Sequence, residues 1–535
     1  MTAALQTFAR PFVGNRSPSF LLWSSAVLVA AFCAIPPTYL IIRAAQEPTT
    51  AIDAVLQSST VALAVRTLAL AFVVTSLAVA IALPMAWLTM RTDVPGRRVL
   101  VVLAPLPLAV PSYVGAMVAI ASLGPRGMLQ QVLEPLGVDR LPSIFGFWGA
   151  AVVLALLTYP YLLLALRPAI TSLDPRLEEL SRSFGWGRWD TFRRVTLPQL
   201  RPALASGSLL IALYTLADFG AVSLLRFDSF TRVIFVRYES SFDRSGAAAL
   251  ALALAVIALS VVALEIWTRG RSRYDSSHGN VGSAPQIALG RWRWPAFAFV
   301  TAVLALALAV PVGVLGYWLV RGLAAGEAID GIWSSAFDSA LGATLAAGAA
   351  MVLALPVALI ATRHPRFVLA RPVEVLAHAG FALPGIVVAL AFVFAGINLG
   401  ALYQSLWLLV AAYALRFLPQ AISATRVGLL QVQPSMEEAA RGMGRSPRQV
   451  LATITLPLAR PGLMAGAALV FLTTMKELPA TLILAPIGFE TLAVRVWSAS
   501  SEAFFARAAL PALVLIAISA VPLLAPMFSR HEAKR

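Results

Sequence analysis

Apolar residues fall in long solid blocks along the chain, and polar residues are confined to the stretches between them. Twelve blocks predict twelve spans, near residues 20–42, 62–89, 99–123, 147–169, 204–225, 247–267, 295–319, 339–361, 373–395, 403–424, 462–484 and 506–528. A helix crosses a hydrocarbon core ~30 Å thick with about 20 residues, and the blocks are of that length. The spans must be helical, because backbone groups in lipid have to be satisfied within their own segment. Strands of a membrane barrel would instead alternate apolar and polar positions. The first run, 20–42, is too long for the apolar core of a signal peptide and lacks an A-x-A site, so no cleaved leader is expected.

The loops give a direction. With Arg10 and Arg16 taken as cytoplasmic, the even-numbered loops are rich in arginine: Arg91, Arg97 and Arg98, then Arg176 to Arg201, Arg269 to Arg293, and Arg363, Arg366 and Arg371. The odd loops are mostly neutral or acidic, as at Glu47 and Asp53 or at Glu327, Asp330 and Asp338. One odd loop dissents with Arg226, Arg232, Arg237 and Arg244, diluted by Asp228, Glu239 and Asp243. The majority places both termini in the cytoplasm, by the bias that keeps positive loops inside.

The chain also repeats itself. A polar connector at 269–294, with the linker-like run Ser-Ser-His-Gly-Asn-Val-Gly-Ser-Ala-Pro at 276–285, separates a first half, 1–268, from a second, 295–535. Ala82-Leu83-Pro84 recurs as Ala354-Leu355-Pro356, and Val110-Pro111 is echoed by Leu383-Pro384. Residues 175–202 match 434–461 at ten of twenty-eight positions without a gap. Each half has six spans, an even number, so both copies share one orientation across the membrane. The expected fold is an all-α membrane protein of two parallel six-helix repeats.

The most informative segment lies between the fourth and fifth spans of each half. The first copy carries Glu178-Glu179-Leu180-Ser181-Arg182-Ser183-Phe184-Gly185 and, nine residues on, Val195-Thr196-Leu197-Pro198. The second carries Glu437-Glu438-Ala439-Ala440-Arg441-Gly442-Met443-Gly444 and then Ile454-Thr455-Leu456-Pro457. Leu177, Leu180 and Phe184, and likewise Met436, Ala439 and Met443, recur at helical spacing and form an apolar stripe. The acidic pair suits the positive end of a helix dipole. Gly185 and Gly444 suit the left-handed residue just past a helix end. Ser446-Pro447 suits the start of the next helix, and the Leu-Pro pair is expected to stop that helix before the fifth span. The result is a bent amphipathic hairpin in the cytoplasm whose apolar face has no partner inside the chain.

These residues resemble the E-A-A-x(3)-G-x(9)-I-x-L-P motif of the permeases of binding-protein-dependent ABC importers. The second copy fits at every named position; the first departs at Leu180, Ser181 and Val195. The resemblance extends over both halves. It implies a type I importer permease in a bacterial inner membrane, with Glu178, Glu179, Gly185 and Pro198, and Glu437, Glu438, Gly444 and Pro457, in the segments that couple to the motor. It further implies two copies of an ATP-binding subunit, one per hairpin, and an external solute-binding protein. Leu216-Ala217-Asp218-Phe219-Gly220 and Met475-Lys476-Glu477-Leu478-Pro479-Ala480-Thr481 look like the ferric iron transport permeases, with the thiamine permeases as second choice. Polyamines and sulfate are further alternatives.

Composition agrees with this reading. The 535 residues are 59% hydrophobic and only 12% charged, with a mean hydropathy of +0.82. A soluble domain would carry roughly twice that charge, which excludes a water-soluble enzyme. The net charge of +16 lies in loops beside apolar spans, so lipid headgroups and not nucleic acid are the expected partners. The two lysines, Lys476 and Lys534, follow Met475 and Ala533, so no Gly-Lys-Ser/Thr phosphate loop exists, in agreement with the external motor that the resemblance implies. One cysteine, Cys33, and four scattered histidines exclude an internal disulfide and offer no ligand spacing for a metal, and no cofactor is expected. Asp218, Lys476 and Glu477 fall within the fifth spans, where charged groups usually line a cavity, and are the candidate substrate-path residues. The competing role for both carboxylates is to cap or anchor the helix where Gly220 and Pro479 break it. An ion-coupled secondary transporter of two six-span halves is the rival from another class, but it has no need of twin cytoplasmic hairpins.

Overall fold

A computed structural model describes residues 18–125, 127–138, 140–240, 243–269, 287–327, 330–400 and 402–532. Most of the linker, together with Arg10, Arg16, His278 and Lys534, lies outside them. The described residues are helices joined by short turns, with a single isolated bridge between Thr92 and Ile287 and no strand among them.

Ten described helices are long and apolar enough to cross a membrane. They include Phe20–Arg43, Ser58–Arg91, Phe147–Thr171, Ile332–Arg363 and Leu406–Leu430. The two other expected spans, the third and the ninth, are broken. The third is the pair Arg97–Ala109 and Ser112–Leu136, bent by 95°. The ninth divides into Ala370–Ala382 and Gly385–Leu399 around Leu383 and Pro384. Pro111 and Pro384 lack an N–H to continue the ladder, and the residue before each is pushed out of helical geometry: Val110 has ψ 116° and Leu383 ψ 123°.

Burial reports on the solvent. Val61, Val65 and Phe72 on Ser58–Arg91 are exposed, as lipid-facing side chains are. The fourth spans are the most enclosed. About two-thirds or more of the apolar windows of Phe147–Thr171 (72%) and Leu406–Leu430 (67%) is buried, against 33% for Ser58–Arg91.

The chain forms two compact units. Among the described residues, one is built from those up to Tyr39, Ala340–Leu383 and Ala391–Thr474, and the other from those within Leu40–Ser339 and Pro384–Leu390 and from Met475 onward. In the first unit, Ala26, Val29, Ala30 and Cys33 of the first span pack into one core with Ala347, Ala350 and Ala354, and with Leu418, Ala421 and Ile422. Small side chains let helices approach closely where lipid offers no competing hydrophobic drive. Gly428 and Gly462 bring two backbones together: a Cβ added to Gly462 would lie 2.6 Å from the Gly428 Cα.

Candidate functional site

Each hairpin begins with a nine-residue helix, Pro175–Ser183 in the first copy and Pro434–Gly442 in the second. Proline sits at its first position, and in the first copy the Asp174 carboxylate accepts from the Arg176 N–H at 2.9 Å. Both helices end in the same motif. Gly185 N–H donates to Arg182 O and Trp186 N–H to Ser181 O; Gly444 N–H donates to Arg441 O and Arg445 N–H to Ala440 O. This Schellman geometry needs a left-handed residue, and Gly185 (φ +81°) and Gly444 (φ +85°) supply it. The second arm of the second copy opens with a capping box between Ser446 and Gln449. The hinge and both caps stand where the sequence put them.

The Leu-Pro stop does not. Arg188–Thr191 runs through a π-turn at Phe192–Thr196 into Leu197–Ala217, and Pro447–Val450 runs through Leu451–Thr455 into Leu456–Met475. Leu197 N–H reaches back five residues to Phe192 O, and Leu456 N–H to Leu451 O. The wider turn shifts the bonding register just ahead of Pro198 and Pro457, so prolines at the second helical position are accommodated as at a helix start. The second arm of each hairpin is thus continuous with a fifth span.

The predicted stripe faces outward. Leu177, Leu180 and Phe184 are exposed in one copy, and Met436, Ala439 and Met443 in the other, with Phe184 72% and Met443 76% accessible. Trp186 and Trp189 enlarge the exposed apolar face of the first. Glu179 and Glu438 are exposed beside the stripe. Glu178 and Glu437 are not: they are 6% and 5% accessible and point inward. Glu178 pairs with Arg91 at 2.5 Å and accepts from the Thr196 hydroxyl at 3.2 Å. Glu437 pairs with Arg363 at 2.9 Å and accepts from the Thr455 hydroxyl at 3.0 Å. Each carboxylate also has a half-exposed arginine of its own helix within reach, Arg182 at 4.0 Å from Glu178 and Arg441 at 3.5 Å from Glu437. Breaking a buried ion pair costs about 3–5 kcal/mol where the remaining charge has no other partner, and less where one is at hand. In the sequence Arg91 and Arg363 read only as loop arginines; their pairing with the hairpin glutamates was not foreseen, although they stand at the same 272-residue offset as the Ala-Leu-Pro echo, each at the end of a second span.

In the fifth spans the two copies again agree. Leu197–Ala217 ends at Asp218, and a short helix, Gly220–Leu224, follows. Asp218 Oδ1 accepts from the Ala221 and Val222 N–H groups at 3.0 and 3.3 Å. Glu477 Oε1 accepts from the Ala480 N–H at 3.3 Å, at the start of Pro479–Leu484. The carbonyls of the same two residues accept the Thr231 and Thr481 hydroxyls. Both carboxylates are buried and cap the segment after the break. Gly220 lies so close to the third span that an added Cβ would be 2.8 Å from Tyr113 Cβ. Lys476 Nζ donates to Leu108 O at 2.9 Å, a carbonyl beside the break in the third span. Among the described residues no three His, Cys, Asp or Glu side chains converge to hold a metal ion.

The family model described as binding-protein-dependent transport system inner membrane component matches twice, over residues 78–269 and 354–530. The chain is 33% identical to the Fe(3+)-transport system permease protein FbpB 2 of Haemophilus influenzae over 95% of this chain and 98% of that one. It is 27% identical to the ferric transport system permease protein FbpB of Actinobacillus pleuropneumoniae, over 71% and 58%. The molybdenum transport system permease protein ModB of Escherichia coli is 30% identical over 37% of this chain and 91% of its own.

Proposed function

Because the chain belongs to the family of binding-protein-dependent transport system inner membrane components, we propose that it is the fused permease of an ATP-driven importer of ferric iron. The family makes it a multi-pass inner-membrane permease and not an enzyme. Two halves, 1–268 and 295–535, joined by the linker 269–294, each present one hairpin to one copy of an ATP-binding subunit. Both termini and both hairpins face the cytoplasm, and a solute-binding protein delivers cargo from the other side.

The observation that carries the reading is the pair of exposed apolar hairpin faces, alike in hinge, register and continuity with a fifth span. Closure of the motor subunits moves the hairpins, and a helix without a stop at Pro198 or Pro457 passes that motion into the membrane. Alternating access follows from rocking of the repeats about a central path. Glu179 and Glu438 flank the docking faces, while Gly185 and Gly444 set their bend. Asp218, Lys476 and Glu477 serve the path by holding the segments after its breaks: the carboxylates cap Gly220–Leu224 and Pro479–Leu484, and the ammonium ties the eleventh span to the third.

Ferric iron is favoured by the near full-length likeness to an Fe(3+)-transport permease. An oxyanion is the second reading, favoured by the Lys476 ammonium and by the molybdenum permease relative. Uptake of radioactive ferric iron, molybdate and sulfate in cells with and without the gene tests both. Loss of ferric iron uptake alone, and its collapse on ATP depletion, is the expected result. Loss of molybdate uptake with iron uptake intact refutes the iron assignment.

A further inference from the structure

We infer that Glu178 and Glu437 are positioning residues that act inside the permease, through Arg91 and Arg363, and do not contact the motor. The inference rests on the importer reading above and assigns the division of labour within each hairpin. Arg91 is the last residue of Ser58–Arg91 and Arg363 the last of Ile332–Arg363. Thr196 and Thr455 close the π-turns at the bases of the fifth spans. In each repeat one buried carboxylate therefore joins three elements: the end of a second span, the first arm of a hairpin and the base of a fifth span. In the second repeat Arg363 Nη2 also donates to Leu429 O at 3.2 Å and Val432 O at 3.1 Å, which adds the end of the fourth span. A cation there also complements the negative end of that helix.

The chain supplies an internal control. The two arms of the first hairpin meet through a hydrogen bond between Ser181 and Thr191 at 2.8 Å. The matching residues of the second are Ala440 and Val450, both buried and both apolar. Holding a hairpin closed does not require polar groups, yet both copies keep the Arg-Glu-Thr arrangement. Adjacent residues on a helix point about 100° apart, so the glutamate that faces inward and the one that faces a partner are separate tools. Displacement of the exposed face is passed to the second and fifth spans through an ion pair whose carboxylate is buried in both copies.

The test uses the whole importer, permease with its ATP-binding subunit and solute-binding protein, in proteoliposomes with ferric iron as cargo. Three quantities are read: retention of the ATP-binding subunit on the permease, stimulation of ATP hydrolysis by the loaded binding protein, and iron taken up per ATP. Glu437→Gln and Arg363→Gln should retain the subunit, while stimulation and uptake per ATP fall about tenfold, the scale of a typical coupling between sites. Glu438→Gln should weaken retention instead. The inference is overturned if Glu437→Gln loses the subunit while Arg363→Gln does not, or if both keep wild-type coupling. Should either fail to fold, Thr455→Val removes one hydrogen bond and spares the ion pair; about a threefold loss of coupling is expected, and unchanged coupling overturns the inference. A wild-type complex whose hydrolysis responds to the binding protein without moving iron counts against the cargo alone, because retention and stimulation still report on the strut.

Discussion

Gly462 and Gly444 are both needed as glycine, for different reasons. At Gly462 the obstacle is another backbone: Gly428 Cα would stand 2.6 Å from an added Cβ, and it cannot swing aside. Gly462→Ala should push the two helices apart and lower stability by about 2 kcal/mol, read as a lower melting temperature in detergent. Around Gly444 there is open space, but its φ of +85° strains any other residue. Gly444→Ala should cost about 1 kcal/mol, with the loss showing in uptake more than in melting. Asp218 offers a sharper contrast. Asp218→Asn keeps the acceptor that caps Ala221 and Val222, whereas Asp218→Ala removes it at about 1 kcal/mol. Uptake should survive the first change and fall with the second; loss of uptake in a stable Asp218→Asn protein would show that the charge itself handles cargo. The positions of Asp218 and Glu477 were plain in the sequence, and so was their equivalence. Their orientation was not, because a carboxylate just before Gly220 or Pro479 reads the same whether it lines a cavity or caps the next turn.

Among the elements, the hairpins were the most legible. Glycine at a helix end and Ser-Pro at a helix start act through local backbone geometry, so a few adjacent residues suffice to place them. The register of the stripe follows from helical periodicity alone. The continuity into the fifth span was hidden, since proline normally ends a helix and only the shifted bonding at Phe192–Thr196 and Leu451–Thr455 shows how it is carried through. The ion pairs were hidden for a different reason: Arg91 is 87 residues from Glu178, and Arg363 is 74 from Glu437. Nothing local connects them. At this scale the decisive variants are Phe184→Glu and Met443→Glu. Both side chains project from the fold, so melting should hold at the wild-type value while the ATP-binding subunit no longer co-purifies. A fall in melting temperature of either variant would mean that the face is packed within the protein.

For the whole molecule, hydropathy located ten spans that stand as long apolar helices among the described residues and two that are broken, and the loop arginines supply the expected orientation. Pro111 and Pro384 stood in the sequence as an echo between the halves, but the breaks they make in the third and ninth spans, and the extent of the bend, were not spelled out there. Orientation can be read directly with single cysteines in a Cys33→Ser background. A cysteine at Ser183, beside the first hinge, should react with a membrane-impermeant maleimide only from the cytoplasmic side. One at Ile487, 91% accessible in the turn before the last long helix pair, should react only from the opposite side. Labelling of both from one face would refute the topology. The core shared by Ala26, Val29 and Cys33 with residues as distant as Ile422 bears on how the protein is made. The ribosome delivers the first span long before its neighbours exist, so the nascent helix must wait in lipid, or in the care of the insertion machinery, until the second half is synthesised. A truncated product ending at the linker would leave that surface bare, and such fragments are natural targets for the cell's membrane proteases.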